Sequence, residues 1–291
     1  KKEVGDYAYW KMMAKRVWKC SDVARFCLML PFVGPLLFPL IVSPFLVYLW
    51  GGKGRTSTTG KTTMGMFALS VWGDPDALKQ SLSATTIGIT EACAMMSDTF
   101  ILLDEKQSAK SDEDVRAMIY MVATGKTKLQ GAAGGGTREQ KQWRIAGMAT
   151  GEQPLIHKHD GEYARIMDIR AVDIWKNCGE VHREFARSLE KCYRTSHGHA
   201  GRQFLQHLVT RLKNNRPELM IHHAELEKRL SNLSKENDML SRLAPAFATI
   251  AIAGEMVAEH ILHVDPVDAY ETVERMYIEY GAKWSDHDLG K

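Results

Sequence analysis

Trp10, Met13, Val17 and Trp18 recur at helical spacing between Asp6 and Phe26, so the pattern predicts an amphipathic leading helix that packs its apolar side on the rest of the chain. From Cys27 to Gly52 no residue is charged. Such a run is long enough to cross a bilayer, but Pro31, Pro35, Pro39 and Pro44 would break a single spanning helix repeatedly. The expectation is a buried helix, a break at Ser43-Pro44, and a strand from Phe45 to Trp50, because strands covered on both faces read as unbroken apolar runs. The apolar stretch lies too far inside the chain for a secretory signal, so no membrane association and a cytoplasmic setting are expected.

Beyond a glycine-rich turn, Thr62 to Trp72 reads as a helix stopped by Gly73-Asp74-Pro75, with a short turn or helix from Asp76 to Gln80. Ile87 to Met96 reads as a helix and Thr99 to Leu103 as a strand. Asp112 to Ala123 is helical, with Val115, Met118, Ile119 and Val122 on one face. Two short arms around Gly134-Gly135-Gly136 suggest a hairpin ahead of another apolar strand, Trp143 to Ala149. From about Phe204 the pattern turns helical, with Leu205, Leu208, Val209 and Leu212 in register, a charged stretch from Glu225 to Arg242, and a last helix near Asp268 to Tyr280. The order predicts an α/β core followed by a helical lid, divided as an N-terminal helical segment 1–44, a core 45–200 and a lid 201–291.

Composition narrows this little. A chain of 291 residues, 45% hydrophobic and with net charge +3, can bury a sizeable core and neither demands nor excludes nucleic acid. Cys20, Cys27, Cys93, Cys178 and Cys192 are irregularly spaced and form no CxxC pair, which fits a reducing compartment. The histidine pairs at 157/159, 197/199 and 222/223 lack cysteine partners at zinc-finger spacing, so no structural metal is expected.

The chemistry lies at two strand ends. Ser57, Thr58, Thr59, Gly60, Lys61, Thr62 and Thr63 follow the predicted strand and open the predicted helix. Such a turn aims backbone N–H groups at phosphates, brings a lysine to the β and γ oxygens, and offers a hydroxyl, here Thr62, to Mg²⁺. The full pattern wants glycine where Arg55 stands. A left-handed arginine costs on the order of 1–2 kcal/mol, so the loop is expected to bulge, using Gly51, Gly52 and Gly54 as slack. Downstream, Phe100-Ile-Leu-Leu-Asp104-Glu105 ends an apolar strand in two acids: Asp104 to hold Mg²⁺ and Glu105 to polarise the attacking water. Thr150, at the tip of the third strand, either senses the γ-phosphate or caps its loop.

Taken together, STTGKTT, ALSVWGDP, LLDE, ATGKTK, WRIAGMATGE, EYARIMDIRA, HGHAGRQFLQHL and RLAPAFATIAIAGEMVAE resemble the domain-of-unknown-function 927 family from roughly Trp10 to His260. These are predicted helicases of phages, plasmids and chromosomal islands, similar to AAA+ ATPases of the MCM and superfamily-III branch. The resemblance implies a P-loop AAA+ core, a parallel-sheet α/β sandwich. It matches Lys61 and Thr62 to Walker A, Asp104 and Glu105 to Walker B, and Thr150 to sensor 1. It also sets Arg165 where related helicases send an arginine finger into a neighbour, and Arg242 where a sensor-2 arginine falls, with a plain ion pair the alternative for each. The hairpin takes the place of one that enters the ring channel, where Lys126, Lys128, Arg138 and Lys141 would touch DNA phosphates, or else form a solvated basic loop; arginine is usual at Lys128. The implied function is an ATP- and Mg²⁺-dependent helicase or translocase on single-stranded or forked DNA, a hexameric ring with ATP between subunits, in replication of a mobile element. Two rivals stand beside it: an ATPase that remodels protein or acts in defence, and a nucleotide-gated assembly module.

Overall fold

The computed structural model describes residues 2–51, 60–104, 111–127, 139–155, 164–234 and 237–288. The leading helix predicted from Asp6 to Phe26 is two helices, α1 (Tyr7–Cys20) and α2 (Asp22–Met29). Ser21 divides them: its backbone is extended, and its hydroxyl accepts from the Ala24 N–H as the cap of α2. The charge-free run then forms a 3₁₀ turn (Leu30–Phe32), α3 (Gly34–Leu40) and strand β1 (Phe45–Trp50). The chain bends by 66° between the segments Asp22–Phe32 and Gly34–Leu40, so the proline-rich run is no straight span.

Next come α4 (Lys61–Leu69), α5 (Pro75–Leu78), β2 (Gln80–Ser81), α6 (Thr86–Met95), β3 (Phe100–Asp104), α7 (Asp112–Thr124), β4 (Ala146–Gly151) and β5 (Ile166–Arg170). Local chemistry sets these boundaries: Thr85 caps α6, Ser111 and Asp114 form a capping box on α7, and Gly125 ends α7 with φ +79°. The five strands make one parallel sheet in the order β2-β3-β4-β1-β5. From β1 the chain crosses outward over β4 and β3 to β2, then returns through β3 and β4. Right-handed crossovers in opposite directions put α4 on one face and α6 and α7 on the other. On the α4 face, Gly65 lies directly on the side chains of Leu102 and Met148, where a Cβ would stand 2.7 Å from either.

The remaining chain is α8 (His182–Thr195), α9 (His199–Leu233), α10 (Asp238–Ser241), α11 (Ala244–Val257), a π turn (Ala258–Leu262) and α12 (Val267–Asp288). α9 is kinked at Asn215, two residues before Pro217. The segment Ala244–Leu262 is long and apolar enough to cross a membrane, but 78% of it is buried inside the fold, as a core helix is. Its small residues allow close approach: Gly254 abuts Met29 of α2 and Ala269 of α12. Arg275 of α12 donates twice to Asp22, and Trp18 Nε1 donates to Asp268 at 3.1 Å, so α12 is fastened to the two leading helices. Trp10 stacks on Phe67 of α4 at 5.4 Å and donates to Ser70 at 2.8 Å. All five cysteines are unpaired and buried, and burial pushes the Cys27 thiol up to about 12.

Candidate functional site at the carboxyl ends of the strands

Strands β1, β3 and β4 end side by side, and three polar residues meet there. Asp104, the last residue of β3, accepts from Thr62 Oγ1 at 3.0 Å and from Thr150 Oγ1 at 2.8 Å, both on Oδ1. Its other oxygen, Oδ2, lies 3.6 Å from the ammonium of Lys79, between α5 and β2. Three groups far apart in sequence therefore converge on one carboxylate. Lys61 is buried at the start of α4 and donates to the carbonyl of Gly51, which follows β1. Thr150 is buried and Thr62 exposed, so the hydroxyl pair spans from the sheet to the surface.

Gly60 makes the turn possible. It caps α4 with φ +82°, a conformation that costs a residue with a Cβ about 1–2 kcal/mol. A Cβ there would also stand 2.1 Å from Trp175 Nε1. Gly60 has no side chain to cap α4, so the helix presents its first N–H groups and positive end to whatever the turn holds. One hydroxyl and one carboxylate already in contact suit Mg²⁺, which takes one or two protein ligands and fills its octahedron with phosphate and water oxygens. The donor set of Thr62 and Asp104 fits that ion.

The sequence-predicted residues divide by place. Gly60, Lys61, Thr62, Asp104 and Thr150 come together, with Thr63 beside them in the first turn of α4. Ser57, Thr58, Thr59, Glu105, Lys128 and Arg138, as well as Arg55, lie outside the described residues. Arg165 is half-buried at the opposite, amino end of the sheet, where its carbonyl accepts from the Leu46 N–H at 2.9 Å. Arg242 is exposed and lies toward that same end. Tyr277 bonds the Leu240 carbonyl, and Tyr280, one turn further along α12, bonds the carbonyl of Ile166 at the start of β5. The predicted hairpin is rooted there too. Lys126 pairs antiparallel with Gln142, and Gly125 packs on Pro44, just before β1. Lys126 is exposed, whereas Lys141 is engaged by Glu91 of α6. Sequence reasoning missed Lys79 and Trp175: neither belongs to a motif, and they reach the site through the crossover from β1 to β2 and through the segment that follows β5.

A parallel sheet of this order, with a glycine and a lysine-led helix after its interior strand β1, is a P-loop α/β core. Residues 1–142 match the model of the DUF927 family, described as a domain of unknown function, and this bears out the resemblance drawn from the motifs. No curated protein matches the chain. Among solved structures, a chain described as "SCCmec type IV Cch - active helicase" is similar with a TM-score of 0.74 and 20% identity, over 97% of this chain and 51% of its own. At that identity the likeness is one of fold, and this chain spans about half the length of that protein.

Proposed function

We propose that this chain is the ATP-hydrolysing motor of a DNA helicase or translocase serving a mobile element. The observation that carries the reading is the Asp104 carboxylate shared by Thr62 and Thr150 beside the buried Lys61. The family match and the fold shared with a chain described as an active helicase support it. In this reading Ser57, Thr58, Thr59, Gly60 and Thr63 wrap the phosphates and Lys61 neutralises their β and γ oxygens. Thr62 and Asp104 hold Mg²⁺, which when bound offsets charge building on the transferring phosphoryl group. Glu105 orients and deprotonates the attacking water, and Thr150 registers the γ-phosphate against Asp104.

The amino end of the sheet serves the partners. Arg165 lies at the end of the sheet away from its own chain's Lys61, which suits an arginine given to the nucleotide of a neighbouring subunit in a hexameric ring, and Arg242 takes the part of a sensor-2 arginine in the lid. The hairpin carries Lys126, Lys128, Arg138 and Lys141 toward single-stranded or forked DNA, where contacts to phosphates are electrostatic and independent of sequence. The segment 201–291 acts as the lid.

Steady-state ATP turnover with and without single-stranded DNA tests this, using Lys61→Ala as the blank. The expected result is turnover that DNA raises, lost in Lys61→Ala, and lost without loss of ATP binding in Glu105→Gln. Turnover indifferent to DNA would favour a protein-remodelling ATPase, and binding without turnover a nucleotide-gated assembly module.

A further inference from the structure

Four indoles in this fold show what a buried tryptophan N–H ordinarily finds. Trp10, Trp18, Trp72 and Trp143 donate to Ser70 Oγ, Asp268 Oδ2, the Pro31 carbonyl and the Val122 carbonyl, all within 2.7–3.1 Å. Trp50 and Trp175 depart from this: their Nε1 atoms are buried and have no acceptor among the described residues. Both stand at the carboxyl end of the sheet. Trp50 is the last residue of β1, and its ring lies under the Arg170 guanidinium.

Trp175 is the more informative. It is 2% exposed, held edge-on by Phe185 of α8 with ring centroids 5.2 Å apart, so its orientation is fixed. It turns its Nε1 edge, not its apolar edge, to Gly60, where the nearest atom to a Cβ would be Nε1 itself. A buried donor with no acceptor is costly, and this one is spent beside the positive end of α4, where an anion is most favoured. We propose that Trp175 is a nucleotide-binding residue whose indole N–H donates to a phosphate oxygen of the ligand bound at Gly60-Lys61-Thr62. The inference rests on the ATP-binding reading above and adds a recognition group to it. It explains why the residue against Gly60 is an indole fixed by its neighbours: one ring both excludes any side chain from that turn and holds a donor against it.

The experiment uses the whole chain with ¹⁵N-labelled tryptophan. The indole resonances are followed as MgADP, pyrophosphate or adenosine is added, and Trp175 is assigned by the signal missing in Trp175→Phe. If that variant fails to fold, Phe variants of the six other tryptophans assign Trp175 by elimination. The expected result is that its N–H signal moves with MgADP and with pyrophosphate but stays with adenosine. Trp175→Phe should bind MgADP about tenfold more weakly, as for loss of a hydrogen bond to a charged group. Binding of MgADP that leaves the Trp175 signal in place, or a shift that adenosine reproduces, would overturn this inference and leave the ATP-binding reading standing. Failure of the native chain to bind MgADP would overturn both.

Discussion

At the carboxyl end of the sheet one carboxylate collects two hydroxyls and an ammonium, and Lys61 and Thr150 are buried around it. At the amino end the charges are paired one to one in water: Arg144 with Asp98 at 2.8 Å, and Lys141 with Glu91, each side chain 43–53% exposed. Phe38 and Ile41 are exposed there as well. The same strands thus carry two kinds of polar chemistry. Where groups are buried and share partners, removing one strands the others, so each position is rigidly specified. Where they are solvated pairs, each is worth about 0–1 kcal/mol, and their geometry is free to change when something docks.

Gly60→Ala should give the largest effect, since it adds a left-handed strain to a clash with Trp175. Urea denaturation is expected to show a loss of about 2 kcal/mol or more, together with loss of nucleotide binding. Native-like stability and binding would mean that the turn is not held as tightly as the carboxyl end requires. Lys126→Ala combined with Lys128→Ala should act on the other end. Single-strand affinity is expected to fall, and the slope of its logarithm against that of salt to flatten by about 1.4, for two phosphates released. An unchanged slope would remove the hairpin from the DNA contact. Arg144→Ala should be the mildest, costing about 1 kcal/mol or less in the same denaturation measurement, because both members of its pair are nearly half in water. A larger loss would show that the amino end is as tightly coupled as the carboxyl end.

Much of this was legible in the sequence for specific reasons. Phe45–Trp50 stood out because a strand covered on both faces has no polar alternation, and its observed bounds are the predicted ones. Phe100–Asp104 declared itself by four apolar residues ending in an acid. The short strands gave no such signal. β2 has two residues and exists because it lies beside β3, with Ser81 opposite Asp104. β5 has five, and its alternation is blurred because the adjacent Ile166 and Met167 are both buried. β4 begins at Ala146, not at Trp143 as the apolar pattern suggested, because Trp143 bonds back to Gly125 in the hairpin root and the Arg144 carbonyl takes the Asp98 N–H. In the site, the order of motifs announced Lys61, Thr62, Asp104 and Thr150, but Lys79 and Trp175 carry no pattern of their own. They are brought in by tertiary packing, which periodicity does not encode.

β4 runs without interruption between these two ends. Its first residues continue from the hairpin root at Trp143, and its last but one is Thr150. β3 and β1 clamp it on both sides, so it has little freedom to stretch or buckle. Over the four steps from Ala146 to Thr150 that makes a rod of about 13 Å at the ordinary rise of an extended chain. In the function proposed above, a tilt or slide imposed on the Thr150 hydroxyl by the groups around Asp104 would be carried along β4 toward the hairpin root. The sheet is in that sense a lever whose arm is already cut to length.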